Sequence, residues 1–80
     1  MELNEIIEKV ADIIRDELDN DDLQIGYDTA AKDVDGWDSL TQIQLVVAVE
    51  KKFKVRFTAA EIQRYQNVGQ MCDGILSKLT

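Results

Sequence analysis

Histidine and proline are absent from this chain, and cysteine occurs once, as Cys72. Without histidine and with a single thiol, a zinc site built from the usual nitrogen and sulfur ligands is excluded, as are Ser-His and Cys-His nucleophilic pairs. A lone cysteine forms no internal disulfide. No apolar stretch approaches the ~18 residues of a membrane span, and Met1-Glu2-Leu3-Asn4-Glu5 is acidic where a secretory signal would be basic. These absences point to a cytoplasmic protein without a membrane partner. Basic residues are also scarce. Nine Lys and Arg against sixteen Asp and Glu give a net charge of −7, which disfavours nucleic acid and anionic lipid and favours basic protein surfaces. The missing prolines leave turns to glycine, asparagine and aspartate.

What is present suffices for one core. The 80 residues are 45% hydrophobic and 31% charged, the range of a folding chain and the size of a single domain spanning residues 1–80. A chain this short buries about 60–70% of its unfolded surface and has little room for an internal active site, so an enzyme of its own is not expected. The acidic excess is uneven. Residues 1–40 hold thirteen acids against Lys9, Arg15 and Lys32, whereas residues 41–80 hold three acids and six bases.

Leu3, Ile6, Ile7, Val10, Ile14 and Leu18 recur at helical spacing and predict an amphipathic first helix of about four turns. It ends in Asp19-Asn20-Asp21-Asp22. The stretch from there to Trp37 has no sustained period, carries Gly26 and Gly36, and reads as a long loop with a short helical turn at Asp28–Lys32. Connections above ~12–15 residues tend to be functional, so Leu23, Ile25, Tyr27 and Val34 are expected to tie this one to the core. A second helix runs from Ser39 to about Phe53 with a wide apolar surface of Leu40, Ile43, Leu45, Val46, Val47, Val49 and Phe53. Thr58-Ala59-Ala60-Glu61 reads as a capping box opening a short helix to Arg64 or Tyr65. Asn67 to Gln70 offers a similar start for a last helix carrying Val68, Met71, Cys72, Ile75, Leu76 and Leu79. No strand is required, and the fold class is all-α.

Gly36-Trp37-Asp38-Ser39-Leu40 lies where the long loop enters the most apolar helix. The first N–H groups of a helix lack intrahelical partners and its macrodipole is positive there, so a phosphate esterified to Ser39 would be stabilised, by ~0.3–1 kcal/mol when exposed. The plainer reading is a cap alone, closed as Asp38-x-x-Thr41 or Ser39-x-x-Gln42.

Asp38-Ser39-Leu40 is followed without gaps by Ile43, Leu45, Val46, Ala48, Val49, Glu50 and Phe53, then by Phe57, Ile62, Val68 and Ile75. With this register in a small acidic helical chain, the sequence resembles the acyl carrier protein family over nearly all of its eighty residues. The resemblance implies a four-helix bundle of three principal helices plus a short third one. It implies that Ser39, flanked by Asp38 and Leu40, accepts 4′-phosphopantetheine from coenzyme A through a phosphopantetheinyl transferase. The arm's thiol would then carry acyl groups as thioesters between acyl-loading and acyl-transfer enzymes. The chain itself would be a monomeric carrier with no catalytic residue and no metal. A built-in base beside a thioester would promote its loss, so the missing histidine suits that role. Leu45, Val46, Val49, Phe57, Ile62 and Ile75 are the candidates for lining an acyl pocket; the plain alternative is that each is simply core.

Partner contacts are expected from Asp38, Leu40, Thr41, Gln44, Val47, Glu50 and Lys51. In fatty-acid carriers the second helix displays a row of carboxylates. Here Thr41 and Gln44 stand in that row, Lys51 and Lys52 follow Glu50, and Lys54 and Arg56 extend the change. This departure points to dedicated partners in a specialised pathway rather than general fatty-acid synthesis. Trp37 fits the same group of stand-alone carriers, although packing under the long loop would also account for it. Alternatives are a peptidyl or aminoacyl carrier, or a helical interaction module that is never modified. The acidic run Asp19–Asp22 fails as a calcium loop, having no glycine at position six and Ala30 where Glu belongs. Cys72 falls on an apolar face and reads as an inert buried thiol. Gly74 in the last helix costs up to ~1 kcal/mol relative to alanine, with close packing its only apparent reason.

Overall fold

The computed structural model describes residues 2–79. Four α-helices follow in order: α1 Leu3–Glu17, α2 Ser39–Phe53, α3 Ala59–Arg64 and α4 Val68–Leu79. Among the described residues there is no strand, and the architecture is the expected all-α bundle of three long helices and one short one. The periodicity explains it. Ile6, Val10 and Ile14 from α1, Leu45, Val49 and Phe53 from α2, and Val68, Met71, Cys72 and Ile75 from α4 converge on one core, with α1 packed against both α2 and α4. Leu79 departs from the expected apolar stripe of α4: as the last helical residue it stays 39% exposed.

The long connection is tied down differently from expectation. Val34 is buried and Leu23 and Ile25 pack against the core, but Tyr27 remains 40% exposed. Its hold is polar. The Tyr27 hydroxyl donates to Asp73 Oδ2 at 2.6 Å, and its ring lies where a Cβ on Gly69 would collide with it. The carbonyls of Tyr27 and Thr29 accept from the N–H groups of Gly69 and Val68 at 2.7 and 2.8 Å, satisfying donors that the first turn of α4 cannot pair internally. Arg15 Nε reaches over to the Leu23 carbonyl at 2.9 Å.

The short helical turn is displaced from Asp28–Lys32 to a 3₁₀ turn at Ala31–Asp33. A preceding turn accounts for the shift: Thr29 N–H donates to the Gly26 carbonyl, and Gly26 N–H to Thr29 Oγ1 at 2.9 Å, which uses residues 26–29.

Helix termini follow the predicted chemistry. Thr58 and Glu61 form the reciprocal capping box of α3, at 2.9 and 3.1 Å. Asn67 Oδ1 accepts from Gln70 N–H at 2.8 Å at the head of α4. The chain leaves α2 through Lys54 in the left-handed region (φ 57°), a conformation that costs a side-chain-bearing residue ~1–2 kcal/mol. α3 is fastened to α4 by Lys78 Nζ, 2.8 Å from Glu61 Oε2 and 5.4 Å above the Phe57 ring, which meets Tyr65 edge-on at 5.9 Å. Gly74 now has its reason: a Cβ there would collide with the Tyr65 hydroxyl.

Candidate functional site

Gly36 takes φ 87°, a left-handed turn open to glycine, and sends the chain into α2. Asp38, with extended backbone, is the N-cap, and its Oδ1 accepts from Thr41 N–H at 2.9 Å. That bond, with further contributions from the neighbouring backbone, holds the Asp38 carboxyl below its ordinary value of 3.8, so it is ionised at neutral pH. Thr41 Oγ1 donates back to the Gly36 carbonyl at 3.1 Å and locks the turn. The rival cap, Ser39 with Gln42, does not form. Gln42 Oε1 instead accepts from the Trp37 indole N–H at 2.7 Å.

With Asp38 in charge of the cap, Ser39 is the first residue of α2, is exposed, and among the described residues has no hydrogen-bond partner for its hydroxyl. An open groove runs from it past Trp37, Gln42, Ile43, Ile62 and Gln63. Alongside lies a smaller cavity of about 50 Å³ that shares Ala31, Trp37, Gln42 and Tyr65 with the groove and continues to Asn67, Val68 and Met71.

The six candidates for an acyl pocket separate. Leu45, Val46, Val49 and Ile75 are buried in the core, whereas Phe57 and Ile62 are half-buried and only Ile62 of the six lines the groove at Ser39. None of them lines the cavity beside it. Gln42, Tyr65 and Asn67 do, and in the sequence these signalled only a cap, a helix end and a helix start.

The wide apolar surface of α2 faces two ways. Leu45, Val46, Val49 and Phe53 turn inward, while Leu40, Ile43 and Val47 are 63%, 62% and 42% exposed at i, i+3, i+7 spacing, one face of the helix. Leu40 and Val47 thus lie open beside exposed Gln44 and Lys51, but Thr41 and Glu50 are half-buried. Thr41 serves the turn, and Glu50 Oε2 accepts from Phe57 N–H at 2.9 Å. Lys51, Lys54 and Arg56 line a groove with Val47 and Val55. Lys52 lies in a different groove, among Asp12, Asp16 and Asp21. Among the described residues no group of three or more His, Cys, Asp or Glu side chains could hold a metal ion, and no helix is long and apolar enough to cross a membrane.

Residues 8–75 match the family model described as a phosphopantetheine attachment site. The chain is 33% identical over 70 residues to an acyl carrier protein of Clostridium acetobutylicum, covering 88% of this chain and 91% of that one. It is 33% identical over 79 residues to an acyl carrier protein of Guillardia theta, covering 99% and 98%. Its fold superposes on the solution NMR structure of a holo acyl carrier protein from Geobacter metallireducens with a TM-score of 0.86 and 34% identity, over 92% of this chain and 85% of the other.

Proposed function

The chain belongs to the phosphopantetheine-attachment family as an acyl carrier protein, and on that premise we propose that Ser39 is the residue that accepts the arm. The observation that carries this is the division of labour at the head of α2: Asp38 caps the helix, which leaves the Ser39 hydroxyl exposed and unpaired. The residues suit the group. The first N–H groups of α2 favour a phosphate, and the groove beyond Ser39 alternates the amides of Gln42 and Gln63 with the apolar surfaces of Trp37, Ile43 and Ile62, matching an arm of amides and methylenes. Once attached, phosphopantetheine supplies a thiol on which acyl groups travel as thioesters. The protein's own contribution is to present that arm, and the chain is a carrier rather than an enzyme. Incubation with coenzyme A and a broad-specificity phosphopantetheinyl transferase, followed by peptide mapping, tests the assignment. The arm is expected on the peptide containing Ser39; an arm on Ser77, or on neither serine, overturns it.

The partners are a dedicated set rather than the enzymes of general fatty-acid synthesis. What supports this is the outward face of α2, where Leu40, Ile43 and Val47 lead into Lys51, Lys54 and Arg56. An apolar row ending in cations fits a partner with an acidic rim. Lys51→Glu combined with Lys54→Glu is expected to weaken binding to the cognate loading enzyme and to flatten its salt dependence. Binding indifferent to both changes and to salt contradicts the reading.

A further inference from the structure

Two caps compete for the head of α2, and they compete for one backbone N–H. The first intrahelical bond runs from Gln42 N–H to the Asp38 carbonyl at 2.9 Å, with Asp38 as the N-cap. Were Ser39 the N-cap, Gln42 would become the third helical residue and the same N–H would donate to Ser39 Oγ. Aspartate and serine cap about equally well. By local chemistry the serine cap is the more complete, because Ser39-x-x-Gln42 is a reciprocal box in which Gln42 Oε1 also turns back to accept from the Ser39 N–H. Asp38-x-x-Thr41 has no such return: Thr41 Oγ1 donates to the Gly36 carbonyl instead.

What separates the two is Trp37. Its indole N–H donates to Gln42 Oε1 at 2.7 Å, the atom that the serine box needs. Both residues are half-buried there, where a low local dielectric strengthens the bond. One net hydrogen bond moves such an equilibrium by roughly two- to tenfold. The choice matters to Ser39. As an N-cap its oxygen would be engaged by Gln42 N–H and turned toward the helix end, whereas as the first helical residue its hydroxyl is exposed and has no partner among the described residues. In the transfer reaction the Ser39 oxygen bonds to the pantetheine-side phosphorus of coenzyme A. The bond from that phosphorus to the bridging oxygen breaks, adenosine 3′,5′-bisphosphate leaves with that oxygen, and the hydroxyl proton passes to a base of the transferase. We infer that Trp37 is a positioning residue for this transfer: by holding Gln42 it starts the helix at Ser39 rather than one residue later, and so keeps the Ser39 hydroxyl free to attack. This inference rests on Ser39 carrying the arm.

The test compares the wild-type chain with Trp37→Phe, Gln42→Ala and the double variant, all without the arm at the start. One readout is the Cα chemical shift of Ser39, which is helical at the first helical position and extended at an N-cap. The other is the initial rate of arm transfer from coenzyme A, followed by intact mass, with folding checked by circular dichroism. Trp37→Phe keeps an aromatic ring and removes the donor. It is expected to move the Ser39 shift toward extended values and to slow transfer by about two- to tenfold. Adding Gln42→Ala removes the rival box as well, so the double variant is expected to regain a helical Ser39 and to load faster than Trp37→Phe, at the rate of Gln42→Ala alone. A tryptophan that only packs, or only touches the transferase, gives no such rescue. Incorporating 3-benzothienylalanine at position 37 keeps the fused ring and replaces the N–H by sulfur, and it makes the same measurement if Trp37→Phe does not fold. A Ser39 shift that stays helical without the indole donor, an unchanged transfer rate, or a double variant as slow as Trp37→Phe overturns the inference. A wild-type chain that never gains the arm removes the Ser39 assignment and this inference together, whereas any of those results in a chain that loads at Ser39 removes the inference alone.

Discussion

The indole N–H of Trp37 donates to Gln42 Oε1 at 2.7 Å, so the residues two positions before and three positions after Ser39 are joined across it. The bond fixes the wall shared by the Ser39 groove and the adjoining cavity. In a double-mutant cycle with Trp37→Phe and Gln42→Ala, the coupling is expected to be about 0.5–1.5 kcal/mol, measured by urea denaturation followed by circular dichroism. Additive effects would mean that the pair is not formed in solution.

Gly74 makes room for Tyr65, and this sets two effects against each other. Gly74→Ala gains up to about 1 kcal/mol of helix propensity, but its Cβ forces a wall aromatic out of place at about 1–3 kcal/mol. Net destabilisation is expected in the wild-type background and stabilisation in a Tyr65→Ala background. Thermal melts of the four proteins read the sign directly, and stabilisation in both backgrounds would contradict the packing described.

The Cys72 thiol is fully buried, and that burial, with Asp73 beside it, pushes it up to about 12. A thiolate is the reactive form. In the native modified protein at pH 8, a thiol reagent is therefore expected to titrate the arm's thiol alone, and Cys72 only after denaturation. Labelling of Cys72 at the rate of a free thiol in the native chain would show the core to be open there.

Glu61 is drawn from its ordinary 4.5 down to about 2, first by its bond to Lys78 and then by the Thr58 N–H. A carboxyl depressed in the folded state contributes stability that is complete above its unfolded value and lost as pH falls through the folded one, here between 4.5 and about 2. Lys78→Ala is expected to return Glu61 toward 4.5 and to move acid unfolding to higher pH. A carbon-13 titration of Glu61 in both proteins checks it, and an unchanged midpoint would show that the ion pair contributes nothing.

Elements with a strong period or a reciprocal cap were legible in the sequence. Ile6, Val10 and Ile14 announced the buried face of α1, and Thr58 with Glu61 announced the start of α3. The long connection was harder because its anchors are not apolar. Tyr27 looks like a core residue, but its hydroxyl finds Asp73 forty-six positions away, a pairing that local pattern does not encode. Spacing placed Asp38, Ser39 and Leu40 at the helix head, yet whether Asp38 or Ser39 held the cap depended on where Trp37 sent Gln42. The cavity was illegible for a related reason. Gln42 on α2 meets Tyr65 and Asn67, which share the connection between α3 and α4, only after α3 folds back, with Gly74 leaving space for Tyr65.

Intact-mass measurement after incubation with coenzyme A and a phosphopantetheinyl transferase tests the central claim most directly. The wild-type chain is expected to gain the mass of a single phosphopantetheine and Ser39→Ala to gain none, with matching circular dichroism spectra showing that both are folded. A wild-type chain left unmodified by several transferases, or a Ser39→Ala chain that still acquires the arm, would contradict it.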